Sequence, residues 1–375
     1  MPDQIPSLST YFDEIAETRG DDECKAWLNQ LFGAKAELST FVASRLPGCG
    51  TATYVGFLKG SFNFSFRYRF EEGPDAIIRF PKPGHTATGL RDETVANEVK
   101  VIEYLRHNTT IPLPHVHSWG LTAESPQGLG PFMIMEYVDG VLLSLTFPRI
   151  GAISKERDSP TGSSVTERPI TYNMNELASV TTYPSDQFPT APFDRAREYF
   201  ESVANEHLTH LRTQRNLADN AEIARNRFIA RHQFAQLISK YCVDDARFIL
   251  LCDDMRPANI LIDPETLRIT ALINLEFTNA MPAQFAHDPP YRHSGPALST
   301  CMRESWKTGR LWFDYAARKS FDIDVVYWAA MHLKDGGGSG EQLLDDESRA
   351  EMDLLVEAKM EQLKAYREEC CVMFF

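Results

Sequence analysis

The sequence predicts an α+β protein: a small antiparallel sheet with one helix, followed by a larger and mainly helical part. Three observations predict it. Phe62, Phe64, Phe66, Tyr68 and Phe70 alternate with Asn63, Ser65, Arg67 and Arg69, the period of two that marks a strand. Val95, Val99, Ile102 and Leu105 then recur at helical spacing. From about residue 193 onward the pattern is helical, interrupted by a short strand–turn–strand near 250–263.

In chain order, residues 1–50 form an N-terminal helical segment; 8–46 read as helices, with Asp21, Asp22 and Glu23 suited to a helix start. Residues 51–145 make the sheet-rich lobe. There the turn Glu71–Asp75 joins the aromatic strand to Ala76-Ile77-Ile78-Arg79-Phe80 as a hairpin. A helix over 91–108 ends at the Pro-rich stretch Ile111–Pro114. Strands follow near His115–Trp119 and Phe132–Tyr137. Residues 146–375 make the helical lobe, with helices over 193–216 and 220–241 and strands over 259–263 and 269–275. Ser, Thr, Pro and Asp dominate 154–192, read as a long surface insertion, partly flexible.

Composition narrows the function classes. A chain of 375 residues carries 52 acidic against 38 basic side chains, a net charge of −14. That balance argues against a nucleic-acid partner and against binding an anionic membrane. Any anionic ligand must meet a local positive patch. The seven cysteines lack paired C-x-x-C spacing, so neither a disulfide framework nor a zinc site is expected. The start lacks the basic and apolar blocks of a signal peptide. The longest apolar region, 132–153, is broken by Glu136, Asp139 and Arg149, so no membrane span is expected and a cytoplasmic location follows.

The chemistry concentrates in Leu250–Asp263. An apolar strand runs into a polar turn carrying Asp254; Asn259 follows five residues later, and a second apolar strand starts at once. Kinase-type phosphoryl transfer uses this spacing, the Asp taking the proton of the attacking hydroxyl and the Asn holding a magnesium ion on the phosphates. A hairpin with polar turn residues would read the same way locally.

Further segments, in the same order, make the resemblance specific: Arg79-Phe80-Pro81-Lys82-Pro83-Gly84, Asn97-Glu98-Val99, Met133-Ile134-Met135-Glu136-Tyr137, Cys252-Asp253-Asp254-Met255-Arg256-Pro257-Ala258-Asn259 and Ser305-Trp306-Lys307-Thr308-Gly309. From about Tyr54 to Lys319 the chain resembles a fungal member of the aminoglycoside phosphotransferase-like family, within the protein-kinase-like fold. The resemblance implies a bilobal fold and ATP with Mg²⁺ as cofactors. It also implies transfer of phosphate to a small hydroxylated substrate, with Asp254 as catalytic base. Asn259 then holds the metal. Arg79 takes the place of the strand lysine on the nucleotide phosphates and pairs with Glu98. Ser61 sits in the nucleotide-covering turn Lys59–Asn63. Met135 flanks the adenine, and Glu136 to Val138 form the hinge whose backbone bonds it.

Two departures stand out. Asn274 occupies the place of the family's second metal ligand, an Asp, so an amide oxygen replaces a carboxylate that magnesium favours. Glu276, two residues on, would share its face on a continuous strand; it either supplies the missing carboxylate or is a structural acid, and the structural role is favoured. Cys252 replaces the usual His and reads as a packing residue rather than a nucleophile. The losses at 252 and 274 also motivate a different reading, a non-catalytic kinase-like protein that binds a nucleotide or metabolite. Trp306, Phe313, Tyr315 and Phe321–Asp324 either line an acceptor site or form helical core, and core is favoured. No Ala-Pro-Glu motif ends an activation segment, which argues against a protein kinase. Oligomeric state and acceptor identity have no signal in the sequence.

Overall fold

The computed structural model describes residues 12–109, 111, 113–136, 146–147, 149–155, 163–244, 248–256, 259–262, 269–287, 296–332 and 340–374. They form two compact units. One consists of Thr18–Asn175 with Ile249–Ala280; the other takes the described residues before Thr18, Glu176–Phe248, and those from Met281 on. A small antiparallel sheet in the first and a mainly helical second make this a protein-kinase-like fold, as expected.

The first unit is built on five strands: β1 (Ala52–Lys59), β2 (Asn63–Phe70), β3 (Ala76–Pro81), β4 (Val116–Gly120) and β5 (Phe132–Glu136). Their order is β1-β2-β3-β5-β4, and every neighbouring pair is antiparallel. Alternation on β2 sorts its side chains to two faces. Phe64, Phe66, Tyr68 and Phe70 join Ile78, Phe80, Phe132 and Ile134 in one apolar cluster. Helices α1 (Glu14–Gly33) and α2 (Lys35–Arg45) close that cluster with Trp27, Leu31, Leu38 and Val42. Burying each such side chain contributes about 1.5–3 kcal/mol. Trp27 would strand its indole N–H there, but donates it to the Leu129 carbonyl at 2.6 Å.

The other face of β2 is also covered: Asn63 and Ser65 are buried with Arg79, which lies opposite Ser65 in the β2–β3 register. Helix α3 (Arg91–Asn108) carries Val95, Val99, Ile102 and Leu105 buried, as their spacing predicts. Asp92 and Glu93 in its first turn and Arg106 and His107 in its last complement the helix dipole.

Helix α1 begins earlier than the acidic triplet 21–23 suggests. Asp13 Oδ1 accepts the N–H groups of Ile15 and Ala16 at 3.0 and 3.1 Å, so the exposed donors of the first turn are satisfied there. The triplet lies inside the helix. The segment 154–192 also differs from expectation. Its described part pairs β6 (Ala152–Lys155) with β7 (Ser163–Glu167) and continues into α4 (Tyr172–Val180). Val165, Ile170, Met174, Leu177 and Phe188 are buried, so this stretch is packed rather than a surface excursion. Its polar composition hid a few well-spaced apolar anchors. Asn279 clamps it by accepting the Ile170 N–H and donating to the Ile170 carbonyl, at 2.9 and 2.8 Å.

In the second unit, α5 (Ala196–Thr213) and α6 (Ala221–Tyr241) pack with α7 (Arg310–Ala317), α8 (Ile323–Val326) and α9 (Asp346–Phe374). Asn220 caps α6 by accepting the Ile223 N–H at 2.9 Å. The ring of Phe313 stacks on Phe234 at 4.7 Å, and Asp324 receives Arg227 and Arg231 at 2.5 and 2.9 Å. Phe313, Phe321 and Asp324 are therefore core, the favoured reading, whereas Trp306 and Tyr315 are exposed. Among the described residues no helix is long and apolar enough to cross a membrane.

Candidate active site

The chemistry-bearing residues meet within the sheet unit, because Ile249–Ala280 belongs to it. Strand β8 (Phe248–Cys252) delivers the polar turn, and β9 (Ile260–Ile262) pairs antiparallel with β10 (Ile269–Leu272) beyond it. The turn is held by its own backbone. Asp253 N–H donates to the Phe277 carbonyl at 3.2 Å, Asn259 N–H to Arg256 at 2.8 Å, and Ile273 N–H to Asn259 at 3.1 Å.

From this turn a hydrogen-bonded series runs back to α3. Asn259 Nδ2 donates to the backbone carbonyl of Asp254 at 2.7 Å and to its carboxylate at 3.1 Å. Asn274 Nδ2 donates to Asn259 Oδ1 at 2.8 Å. Arg79 donates to Asn274 Oδ1 at 3.1 Å and forms an ion pair with Glu98. The second Glu98 oxygen accepts the Leu275 N–H at 3.1 Å. A guanidinium has only donors and a carboxylate only acceptors. With Arg79 at one end and Asp254 at the other, both amides between them have a single consistent orientation.

Burial is deep along this series. Arg79, Glu98 and Asn259 are buried, and Asp254 is 9 % exposed with Arg256 3.3 Å from its carboxylate. Burial pulls the Arg79 guanidinium below its ordinary pKa, with the Glu276 carboxylate acting the other way; an arginine still keeps its charge. Cys252 is buried, and burial pushes its thiol up to about 12. Its thiol makes a long contact to the Asn274 carbonyl at 4.0 Å, the behaviour of a packing residue rather than a nucleophile.

A cavity of about 950 Å³ opens beside the series, a size suited to a nucleotide-scale ligand. Ser61, Arg79, Glu98, Met135, Glu136, Asn259 and Asn274 line it, with Ile77, Ile102 and Leu272 as apolar wall. Among the expected site residues, Asp254 and Glu276 are not in its lining, and Val138 lies outside the described residues.

The turn over the cavity is pinned. Gly60 N–H donates to the Asn63 carbonyl at 2.9 Å, and Lys82 N–H to the Phe62 carbonyl at 2.7 Å. The Phe62 ring meets Tyr172 and Phe277 edge-on, at 5.6 and 5.7 Å. Four residues to which the sequence assigned no role of their own also contribute. Asn63 donates to Glu276 at 2.8 Å, and Asn97 donates to the carbonyls of Glu276 and Thr278 at 3.1 and 3.0 Å. Lys82 and His85 line the cavity. Lys82 did have a sequence signal, a lysine held between two prolines directly after a strand in a strongly acidic chain.

Glu276 does not share the face of Asn274. Strand β10 ends at Leu272, and Asn274 takes a left-handed backbone, φ 60°, a conformation Asn tolerates better than most residues. The strand geometry that would align the two side chains is therefore lost, and Glu276 turns to Asn63.

These facts bear on magnesium. The amide oxygens of Asn259 and Asn274 are already engaged by protein donors, and Glu276 lies off the cavity. Among the described residues there is no group of three His, Cys, Asp or Glu side chains that could hold a metal ion. As they stand, these residues do not fit a bound magnesium ion, which favours anionic oxygens.

No family model matches the chain. A subtelomeric hrmA-associated cluster protein of Aspergillus fumigatus is 35% identical over 86 residues, which is 23% of this chain and 16% of that protein. The same figures hold for a second A. fumigatus strain. The chain thus spans about a sixth of the length of these curated relatives, 16%. Among solved structures, the aminoglycoside phosphotransferase APH(4)-Ia is 14% identical with a TM-score of 0.41, covering 86% of this chain and 99% of that one. An ethanolamine kinase of Plasmodium vivax is 12% identical with a TM-score of 0.38, covering 84% and 81%. A macrolide 2'-phosphotransferase of type I is 14% identical with a TM-score of 0.31, covering 86% and 97%. These are likenesses of fold.

Proposed function

We propose that the chain binds ATP in the cavity of the sheet unit and transfers its terminal phosphoryl group to a hydroxyl of a small molecule. The observation that carries this reading is the unbroken series Glu98–Arg79–Asn274–Asn259–Asp254, whose first four members line the cavity and whose last lies just behind that lining. In the reaction the acceptor oxygen bonds to the terminal phosphorus as the bond to the bridging oxygen breaks. The hydroxyl proton passes to the Asp254 carboxylate late, and ADP leaves. Arg79, steadied by Glu98, faces the phosphates, and Ser61 lies in the turn above them. Met135 and Glu136 border the base, and the expected hinge continues to Val138. Asn259 and Asn274 hold Arg79 and Asp254 in register. Glu276 buttresses Asn63. Magnesium lacks a ligand set in this arrangement, so the reading rests on protein groups.

A second reading has a specific observation behind it. Asp254 is buried and absent from the cavity lining, while Asn274 closes the polar series without a metal. Both suit a kinase-fold protein that binds a nucleotide or metabolite and transfers nothing.

Asp254→Asn separates the two. Measured with ATP and a panel of hydroxylated and aminated acceptors, the transferase reading expects ADP formation by the native chain and a loss of at least about 10²-fold in the variant, with ATP affinity retained. Turnover that survives Asp254→Asn refutes the base. ATP binding without turnover on any acceptor favours the second reading.

A further inference from the structure

Lys82 stands apart from the other cations of the cavity. Arg79 is paired with Glu98, and Arg256 lies 3.3 Å from the Asp254 carboxylate. Lys59 is exposed. Lys82 is only 3% exposed, lines the cavity, and has no hydrogen-bond or ion-pair partner for its ammonium among the described residues. With no protein partner among the described residues, its ammonium is left to the cavity, and a largely desolvated cation with free donors there suits a bound anion.

The backbone holds this lysine firmly. It sits between Pro81 and Pro83, its N–H donates to the Phe62 carbonyl at 2.7 Å, and its carbonyl accepts the Thr86 N–H at 2.8 Å. Gly84, at φ 79°, lies so close to α1 that a Cβ there would be 2.0 Å from the Gly20 carbonyl oxygen. Those contacts join Lys82 to the turn over the cavity, where the phosphates of a nucleotide would lie.

The amide series supplies the second observation. Where a metal carboxylate would stand, Asn274 accepts from Arg79 and donates to Asn259, and the polar groups are satisfied with no ion between them.

We propose that Lys82 is a phosphate-binding residue of this cavity, and that it meets the charge of a polyphosphate without a divalent cation. The proposal rests on the nucleotide reading for the identity of the ligand, and on the cavity alone for its anionic class. Lys82 donates to a non-bridging oxygen of the outer phosphates. Arg79, already committed to Glu98, orients rather than neutralises them.

Calorimetric titration of the full chain tests this, with ATP, adenosine and inorganic tripolyphosphate, each in EDTA and in Mg²⁺, against the native protein, Lys82→Gln and Lys82→Arg. ATP affinity should agree within about threefold between EDTA and Mg²⁺, a difference under about 0.7 kcal/mol. Lys82→Gln should weaken ATP and tripolyphosphate about ten- to a hundredfold and leave adenosine unchanged; Lys82→Arg should retain most of the affinity. Because the ammonium has no partner among the described residues, Lys82→Gln should not lower the melting temperature. Native ATP binding that requires Mg²⁺ overturns the proposal, as does a Lys82→Gln variant that binds ATP normally or loses adenosine equally. If tripolyphosphate binds through Lys82 but neither ATP nor adenosine binds, the nucleotide reading fails and the phosphate site stands. If nothing binds, both fail.

Discussion

Asn274→Asp changes one terminal group and should reverse the demand for a metal. Arg79 can only donate, so the Asn274 oxygen faces it at 3.1 Å and the amide nitrogen faces Asn259 Oδ1 at 2.8 Å. An aspartate has no donor for Asn259. Asn259, 1% exposed, can keep its orientation and set oxygen against oxygen, or turn over and set its oxygen against the Asp254 carbonyl and carboxylate. Either way one buried acceptor is opposed, at about 1–3 kcal/mol. The charge-assisted bond gained to Arg79 returns only part of this, because Glu98 already satisfies that guanidinium. The net expectation in EDTA is a loss of about 1–2 kcal/mol, or about 2–4 °C per kcal/mol in melting temperature. The backbone adds little, since Asp shares Asn's tolerance of the left-handed φ. The oxygens brought together would now accept a cation, so Mg²⁺ should recover the loss in the variant and leave the native protein unmoved. Thermal unfolding of both proteins in EDTA and over a Mg²⁺ series reads this directly. A variant as stable as the native chain in EDTA, or a native chain that Mg²⁺ stabilises equally, would refute the reasoning.

Two further outcomes follow from the helical unit. Asp324→Ala leaves Arg227 and Arg231 buried beside a missing carboxylate, so denaturant unfolding should show a loss of about 3–5 kcal/mol; replacing both arginines with methionine in the same variant should recover much of it, and no recovery would mean that the cost is not unpaired charge. Lys359, buried with its ammonium on the Gln214 carbonyl and Gln362 at 2.6 Å, has its pKa lowered to about 7 from 10.5, first by burial and then by Arg231 and Arg227. The unfolded chain therefore binds more protons between those two values, so this group's penalty applies in full below about pH 7 and is relieved as pH rises toward 10.5. Relative to the native chain, Lys359→Met should gain most below neutrality, and its advantage should shrink by up to about 1.4 kcal/mol per pH unit above it. A stability difference that does not change with pH would contradict this.

Much of the fold was legible because its signals are local. The alternating aromatics of β2 and the spacing on α3 each declare a buried face within a single element. What escaped depends on partners far away in sequence. The expectation that Glu276 would lie beside Asn274 assumed a continuing strand; the left-handed turn at 274 broke it, and no neighbouring residue announces that turn. The helix start went to Asp13 rather than to the acidic triplet, because a cap is decided by which carboxylate reaches the free N–H groups. Seven of the expected site residues line one cavity, whereas Lys82, although inside one of the quoted segments, has a role visible only in three dimensions, where its ammonium meets no partner among the described residues.

The sheet unit is discontinuous along the chain, and this sets an order of events during synthesis. Asn97 on α3 finds its acceptors 179 and 181 residues later, Asn63 meets Glu276 213 residues on, and Glu98 waits 177 residues for the Leu275 N–H. At about 5–20 residues per second, Asn63, Asn97 and Glu98 would leave the ribosome about 10–40 seconds before the groups that satisfy them. A nascent chain in that interval has an assembled apolar cluster on one side of the sheet and unmet amides and carboxylates on the other. Closure over such long separations is slow, so the site is the last part of this unit to acquire its structure and the first that a truncation before residue 249 would remove.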